Sequence, residues 1–325
     1  MLLSALNNIL FGIANLRNYI YFNNIIKRVK ATFPVISVGN VSFGGSGKTP
    51  FVIFLSKKLI ELGYKPLILS RGYNRKNNRT LLITPNDTNY KIEDIGDEVF
   101  LIQKKLNIPI AVAKKKYKAI EIIEKNIRPD VVIIDDGFQH LKLFRDLDIV
   151  LIDKNSFKSF LREPLKNATR ADILLIESGI NLEKNLFDKE KIFFYQKKIV
   201  CFYNYEFLSF DPNNISEHSV ALLSAIGNNK SFYEEAQNFF SKIFMHFKFR
   251  DHYYFSKKDI EKIISNMVNN NINYIVTTEK DFVKLRNFIE LFIKNNIEII
   301  VSVLEINVFD EQKLINRIVS ILRQE

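Results

Sequence analysis

The run Ser42-Phe43-Gly44-Gly45-Ser46-Gly47-Lys48-Thr49 is a glycine-rich turn closing on an ammonium group and a hydroxyl. Between a buried strand and a helix, such a turn lets backbone N–H groups face phosphate oxygens. Lys48 would then reach the β- and γ-phosphates of a nucleotide, and Thr49 would offer its hydroxyl to Mg²⁺. The flanks meet the requirement: Pro34-Val-Ile-Ser-Val38 reads as a buried strand, and Phe51, Phe54, Leu55 and Leu59 mark the apolar face of a helix. One position departs from the G-x-x-x-x-G-K-[ST] pattern, since Ser42 stands where its first glycine falls; the Gly44-Gly45 pair is expected to supply the flexibility instead. A second element of the same chemistry is Val131-Val-Ile-Ile-Asp135-Asp136, an apolar strand ending in two acids that can hold Mg²⁺ directly or through water.

Positioning these groups calls for a parallel α/β scaffold, and short apolar runs alternate with amphipathic stretches from residue 34 onward. Strands are expected at 34–39, 66–70, 80–84, 109–113, 130–135, 148–152 and 173–176, with helices near 49–62, 97–106, 115–126 and 154–160. Residues 190–207 read as two aromatic-rich strands forming a hairpin. Beyond it, strands near 219–226, 243–249, 273–277 and 297–303 alternate with helices near 229–241, 256–269, 280–295 and 308–323. The expected fold class is therefore α/β: a P-loop kinase-like parallel sheet flanked by helices, with a second, smaller α/β domain and an N-terminal amphipathic helix. The corresponding domains are 1–30, 31–190, a two-stranded linker at 191–210, and 211–325.

The net charge of +11 is concentrated in residues 1–80, which hold twelve Lys and Arg against the single acid Glu61. A basic quarter implies an anionic partner: nucleotide, phosphorylated substrate, membrane surface or nucleic acid. Cys201 is the only cysteine, which excludes an intrachain disulfide and a cysteine-based zinc cage and fits a reducing compartment; it reads as a small buried hydrophobe. At the N-terminus, Leu2, Leu3, Leu6, Ile9, Leu10, Ile13, Leu16 and Ile20 follow helical spacing, while Asn7, Asn8, Asn15, Arg17 and Asn18 interrupt any run long enough to span a bilayer. With Lys27, Arg28 and Lys30 behind it, the helix suits a membrane interface; the same spacing also serves a helix packed into a core.

A guanine-specific switch needs Asn-Lys-x-Asp, and the nearest string, Thr277-Thr278-Glu279-Lys280-Asp281, lacks the Asn. No RNP-type aromatic motif or recognition helix supports a nucleic-acid partner. Taken in order, Val38-Gly39-Asn40-Val-Ser42, the glycine loop with Pro50, Ser70-Arg71-Gly72-Tyr73, Gly96-Asp97-Glu98, Asp135-Asp136-Gly137-Phe138-Gln139-His140, Arg145-Asp146-Leu-Asp148, Leu161-Arg162-Glu163-Pro164, Arg170-Ala171-Asp172, Asp251-His252 and Thr277 to Asp281 resemble the tetraacyldisaccharide 4′-kinase family of lipid A biosynthesis.

That resemblance runs along nearly the whole chain. It implies ATP and Mg²⁺ as cofactors, and transfer of the γ-phosphate to the 4′-hydroxyl of a tetraacylated glucosamine disaccharide 1-phosphate. The place implied is the cytoplasmic face of the inner membrane of a Gram-negative bacterium, with the anionic membrane surface as a partner. It further implies Asp97 as base, oriented by His252. Glu98 joins Asp135 and Asp136 as Mg²⁺ candidates, Gln139 and His140 line the cleft, and Arg71, Arg162 and Arg170 contact phosphate or sugar unless they are ion-paired with Glu163 or Asp172. Lys114, Lys115 and Lys116 read as a solvated helix start. A second departure is the stretch from Phe157 to Phe160, a shortened loop where the family often has Pro-Ala-Gly. The alternative function is a soluble P-loop ATPase or small-metabolite kinase.

Overall fold

Strands buried on both faces must be apolar throughout, and the runs ending at Asn40, Asp135 and Ile152 meet that condition at every position but a few polar ones. The computed structural model describes residues 2–87, 89–157, 161–181 and 186–323. It separates into two units, one of residues 1–197 with 306–325, the other of residues 198–305.

The first unit begins with α1 (Leu2–Phe22) and continues through β1 (Val35–Asn40), α2 (Lys48–Glu61), β2 (Pro66–Ser70), β3 (Leu81–Ile83), α3 (Ile92–Ile95), α4 (Asp97–Lys105), β4 (Ile110–Val112), α5 (Lys116–Asn126), β5 (Val131–Asp135), β6 (Leu147–Ile152), β7 (Ile173–Glu177) and the start of β8 (Ile192–Asn204). Its sheet runs β8-β7-β6-β1-β5-β2-β4-β3 and is parallel except at the β3 edge. Because alternate side chains face opposite sides, Ile36, Val38, Ile68 and Ile133 pack under Phe51, Leu55, Leu59 and Val99, while Val35, Leu67, Leu69, Val132 and Ile134 pack on Ala119, Ile120 and Ile123. In this order β1 has later strands on either side, so the crevice beyond its carboxyl end is the switch point at which parallel sheets bind ligands.

The second unit holds the rest of β8, then β9 (Ser209–Phe210), β10 (Val220–Ser224), α6 (Asn229–Ala236), β11 (Ile243–Lys248), α7 (Lys257–Asn269), β12 (Tyr274–Thr278), α8 (Glu279–Leu285), α9 (Ile289–Lys294) and most of β13 (Glu298–Val308). Its strands β11-β10-β12-β13 are parallel. The chain then re-enters the first unit through α10 (Glu311–Leu322), whose Leu314, Ile315 and Ile318 join the core of α2.

Several expectations are corrected. Residues 191–210 are not a two-stranded hairpin: Ile192–Asn204 is one continuous strand, and only the short β9 folds back on its end. The segment 211–325 is not one continuous domain, because α10 buries its apolar face in the first unit. Near 154–160 a 3-10 turn spans Lys154–Phe157, and residues 158–160 of the expected shortened loop lie outside the described residues. The helix expected at 280–295 is α8 and α9 separated by a 3-10 turn at Arg286–Phe288. Cys201 is exposed rather than buried.

In α1 the usual polarity is reversed. Ala14 is 3% exposed and Asn7, Asn15 and Asn18 bond to the body of the unit, while Ile9, Ile13 and Leu16 on the opposite side are about 60% exposed. Among the described residues no helix is long and apolar enough to cross a membrane.

Candidate active site

The glycine-rich loop leaves β1 at Asn40 and enters α2 at Lys48. Gly44 has φ 99° and Gly47, the residue capping α2, has φ 89°, so the loop takes two left-handed turns that a side chain would strain. Ser42 does not supply that freedom. Its buried hydroxyl accepts from Asn40 Nδ2 at 3.0 Å and donates to Asp153 Oδ1 at 3.4 Å, fixing the base of the loop. Ser46 is buried, and its carbonyl accepts from Tyr195 Oη at 3.2 Å; Phe43 and Gly45 are exposed. No side chain caps the first turn of α2 and no acid lies in it, so its N–H donors suit an anion.

Around that helix start the reactive groups converge. Lys48 Nζ donates to Asn40 Oδ1 at 3.2 Å and lies 3.5 Å from Asp136 Oδ1; Thr49 Oγ1 donates to Asp135 Oδ2 at 3.2 Å. Asp135 ends β5 buried, and its Oδ1 has no hydrogen-bond partner. Burial, reinforced by Glu98 and Asp136, raises its pKa. The neighbouring Asp136 shows the opposite balance: burial opposes its charge, but Lys48, Arg162 and Lys116 outweigh it and hold the carboxyl far below the ordinary range. Asp136 also has φ 56°, which turns its side chain away from the strand direction.

Lys116, expected to be solvated, is buried. It is 1% exposed, at the start of α5 behind β4, and donates to the carbonyls of Asp135 and Asp136, the latter at 2.7 Å. Burial pulls its pKa down to about 8, against the attraction of Asp136 and Asp135. Sequence offered only a weak signal: three lysines preceding a helix that follows a strand end. His140 is brought to the same region; burial and then Lys116 lower its pKa to about 3, so it is neutral at pH 7.

Asp97 opens α4, 1% exposed, with its Oδ1 accepting from Glu98 N at 2.9 Å. Gly96 has φ 91°, and a Cβ there would stand 2.7 Å from the Tyr73 carbonyl, so the loop after β2 and the turn before α4 pack back to back. Arg71, on that loop, is exposed. Arg162 is committed to Asp136, with Nη1 at 2.6 and 2.8 Å from its two oxygens, and not to Glu163. Arg170 is taken up structurally. Its guanidinium bonds Glu163 at 2.7 and 3.0 Å, bonds the carbonyls of Asn167 and Phe138, and stacks on the Phe138 ring. Gln139 Nε2 donates to the Asn40 carbonyl at 2.7 Å and to Glu163 at 2.8 Å.

His252 belongs to the second unit. It follows β11 with φ 57°, its Nε2 3.3 Å from Lys280 Nζ and 3.8 Å from Asp251. Asp281, at the start of α8, is fully buried against Lys284 at 2.6 Å and caps the backbone of Ala225, so this end of the Thr277 to Asp281 motif is structural.

A parallel α/β sheet whose strand ends gather a glycine-rich helix start, a lysine and paired acids defines a protein built to handle phosphoryl groups. The model of the tetraacyldisaccharide-1-P 4′-kinase family matches residues 1–323, and the chain belongs to that family. Similar curated proteins include the tetraacyldisaccharide 4′-kinases of Aquifex aeolicus, 35% identical over 292 residues (87% of this chain, 89% of that protein), and of Halothermothrix orenii, 31% identical over 346 residues (94% and 88%). Among solved structures, the LpxK of Aquifex aeolicus in complex with ATP superposes with a TM-score of 0.76 at 31% identity, covering 99% of this chain and 100% of the other.

Proposed function

We propose that this protein transfers the γ-phosphate of ATP to the 4′-hydroxyl of a tetraacyl glucosamine disaccharide 1-phosphate, giving the 1,4′-bisphosphate. The observation that carries the reading is the convergence of Lys48, Thr49, Asp135 and Asp136 at the start of α2. Residues 42–47 serve as the phosphate-binding loop, the N–H groups of α2 and Lys48 neutralising the β- and γ-phosphates. The acceptor oxygen attacks the γ-phosphorus, the bond to the β–γ bridging oxygen breaks, and the hydroxyl proton passes to Asp97. His252, the other residue that the family resemblance assigns to catalysis, has Lys280 and Asp251 beside it in the second unit.

Mg²⁺ fits the donors present. Asp135 has a buried oxygen without a partner, and Thr49 stands on its other oxygen. No group of three or more His, Cys, Asp or Glu is assembled among the described residues, as expected for an ion that keeps waters and phosphate oxygens in its shell. Thr49 and Asp135 would hold it, with Glu98 and Asp136 through water; it supplies charge neutralisation on the phosphates. Arg71 is left as the guanidinium able to meet the substrate, since Arg162 and Arg170 are engaged.

The reading places the protein at the cytoplasmic face of the inner membrane of a Gram-negative bacterium, α1 lying in the interface. The exposed side of Ile9, Ile13 and Leu16 supports it over a soluble small-metabolite kinase, for which that side has no use. The decisive experiment supplies labelled ATP and the tetraacyl disaccharide 1-phosphate. Label should appear at the 4′ position with the wild type and fall by at least about a hundredfold with Asp97→Ala or Lys48→Ala. A wild type that yields no product would sink the kinase reading.

A further inference from the structure

The inward face of α1 and the catalytic lysine are joined by an unbroken set of polar contacts within the first unit. Resting on the kinase reading above, we infer that Glu163 is a positioning residue for Lys48, and that Asn18 and Arg17 of α1 are the outer part of the same device.

Glu163 is fully buried and takes donors on both oxygens: Gln139 and Arg170 on Oε1, and Arg170, Asn167 at 3.2 Å and Asn18 at 3.4 Å on Oε2. Arg17 Nη2 stands 4.0 Å from Oε1. Two tracks lead from it to Lys48. On the first, Gln139 divides the two protons of Nε2 between Glu163 and the Asn40 carbonyl, and the Asn40 side chain lies between Ser42 and Lys48. On the second, Arg162 lies along the glycine loop, its N–H donating to the Val41 carbonyl at 2.9 Å, and its guanidinium holds Asp136, which faces Lys48. The buried members have little freedom to absorb a shift, so a displaced carboxylate moves the ammonium group.

Ala14 is the one apolar residue fully buried on the inward face of α1 among the described residues, with Leu10 and Phe11 half-buried. Asn15 accepts from Asn167 at 3.0 Å and Asn7 accepts from the Leu161 N–H at 3.4 Å, so the helix grips the same 161–167 segment along its length. A helix needed only as an anchor would gain nothing from four polar residues aimed at the segment that sets the phosphate-binding lysine. Here the posture of α1 on a lipid surface reaches Lys48.

A double-mutant cycle in the full chain tests this. Asn18→Ala, Asn40→Ala and the pair are assayed with detergent-dispersed lipid acceptor, and their affinity for a non-hydrolysable ATP analogue is measured. Asn18 is half-buried on the helix surface, so its truncation leaves the core intact. We expect Asn18→Ala to lower kcat about five- to tenfold and raise KM for ATP, and to add clearly less than that loss once Asn40 is alanine and only the Arg162–Asp136 track remains. Its sedimentation with vesicles should remain at the wild-type level, because the apolar side is untouched. Wild-type kinetics for Asn18→Ala, or losses that multiply in the pair, would overturn the inference. A wild type inactive on the lipid would defeat the kinase reading alone, and the inference would then stand or fall on the same non-additive pattern in analogue affinity.

Discussion

At the scale of single residues, burial decides what the charges do. Lys116 donates to two carbonyls that methionine could not satisfy, and its charge helps hold Asp136 ionised. Lys116→Met should therefore lower kcat/KM for ATP by at least about tenfold, measured beside a thermal melt that separates loss of function from loss of fold. This role was illegible in the sequence, where a run of three lysines has no marker for the one that turns inward. Lys48, Thr49, Asp135 and Asp136 were legible, because their spacing against strand and helix is local. The partnership of Glu163 with Gln139, Arg170 and Asn18 was not, since it joins side chains up to 145 residues apart. In the second unit, His246 bonds Ser224 at 2.7 Å and stacks on Tyr233; burial, and then Lys248, lower its pKa to about 4. The unfolded chain thus binds a proton that the folded one refuses between pH 6.5 and about 4. The stabilising contribution is complete above pH 6.5 and lost as pH falls through that window. Urea midpoints at pH 7 and pH 5 should differ less in His246→Gln than in the wild type, by on the order of 1 kcal/mol after allowing for partial exposure.

At the scale of elements, glycine conformation is what places Asp97. Gly96→Ala would add a side chain at φ 91° with its Cβ against the Tyr73 carbonyl, so the joint between the β2 loop and α4 must open. A destabilisation of about 1–3 kcal/mol and loss of phosphotransfer are expected, read from denaturant melts and the kinase assay. The strands of the first unit were legible because parallel strands buried on both faces leave continuous apolar runs. The extent of β8 was not: Gln196-Lys197-Lys198 looks like a turn between aromatic runs. The chain stays extended there because Lys197 pairs with Glu177 at 3.0 Å, with the neighbouring Tyr195 fully buried. For α1, the periodicity gave the helix and its two faces but not which face turns inward, a choice made by Asn and Arg partners remote in sequence.

At the scale of the whole molecule, twelve cations and one acid in residues 1–80 accompany an outward apolar helix side. Under the proposed membrane reading both features would act on a lipid surface, and they separate by salt. Sedimentation with vesicles containing anionic lipid should weaken as ionic strength rises, while the remainder that persists at high salt should disappear in Ile9→Ser/Ile13→Ser/Leu16→Ser. Equal binding to neutral and anionic vesicles at low salt would remove the electrostatic part of the argument.

The return of residues 306–325 to the first unit bears on how the chain is made. The segment 198–305 is in effect an insertion, so the unit begun before it during synthesis is completed only after it. Until α10 emerges, the core of the first unit lacks Leu314, Ile315 and Ile318. During synthesis the nucleotide-binding unit therefore stays half-closed beside an outward-facing greasy helix until α10 arrives to act as the latch. Translation that stops short of it should yield a product recognised by chaperones and proteases before it ever reaches a bilayer.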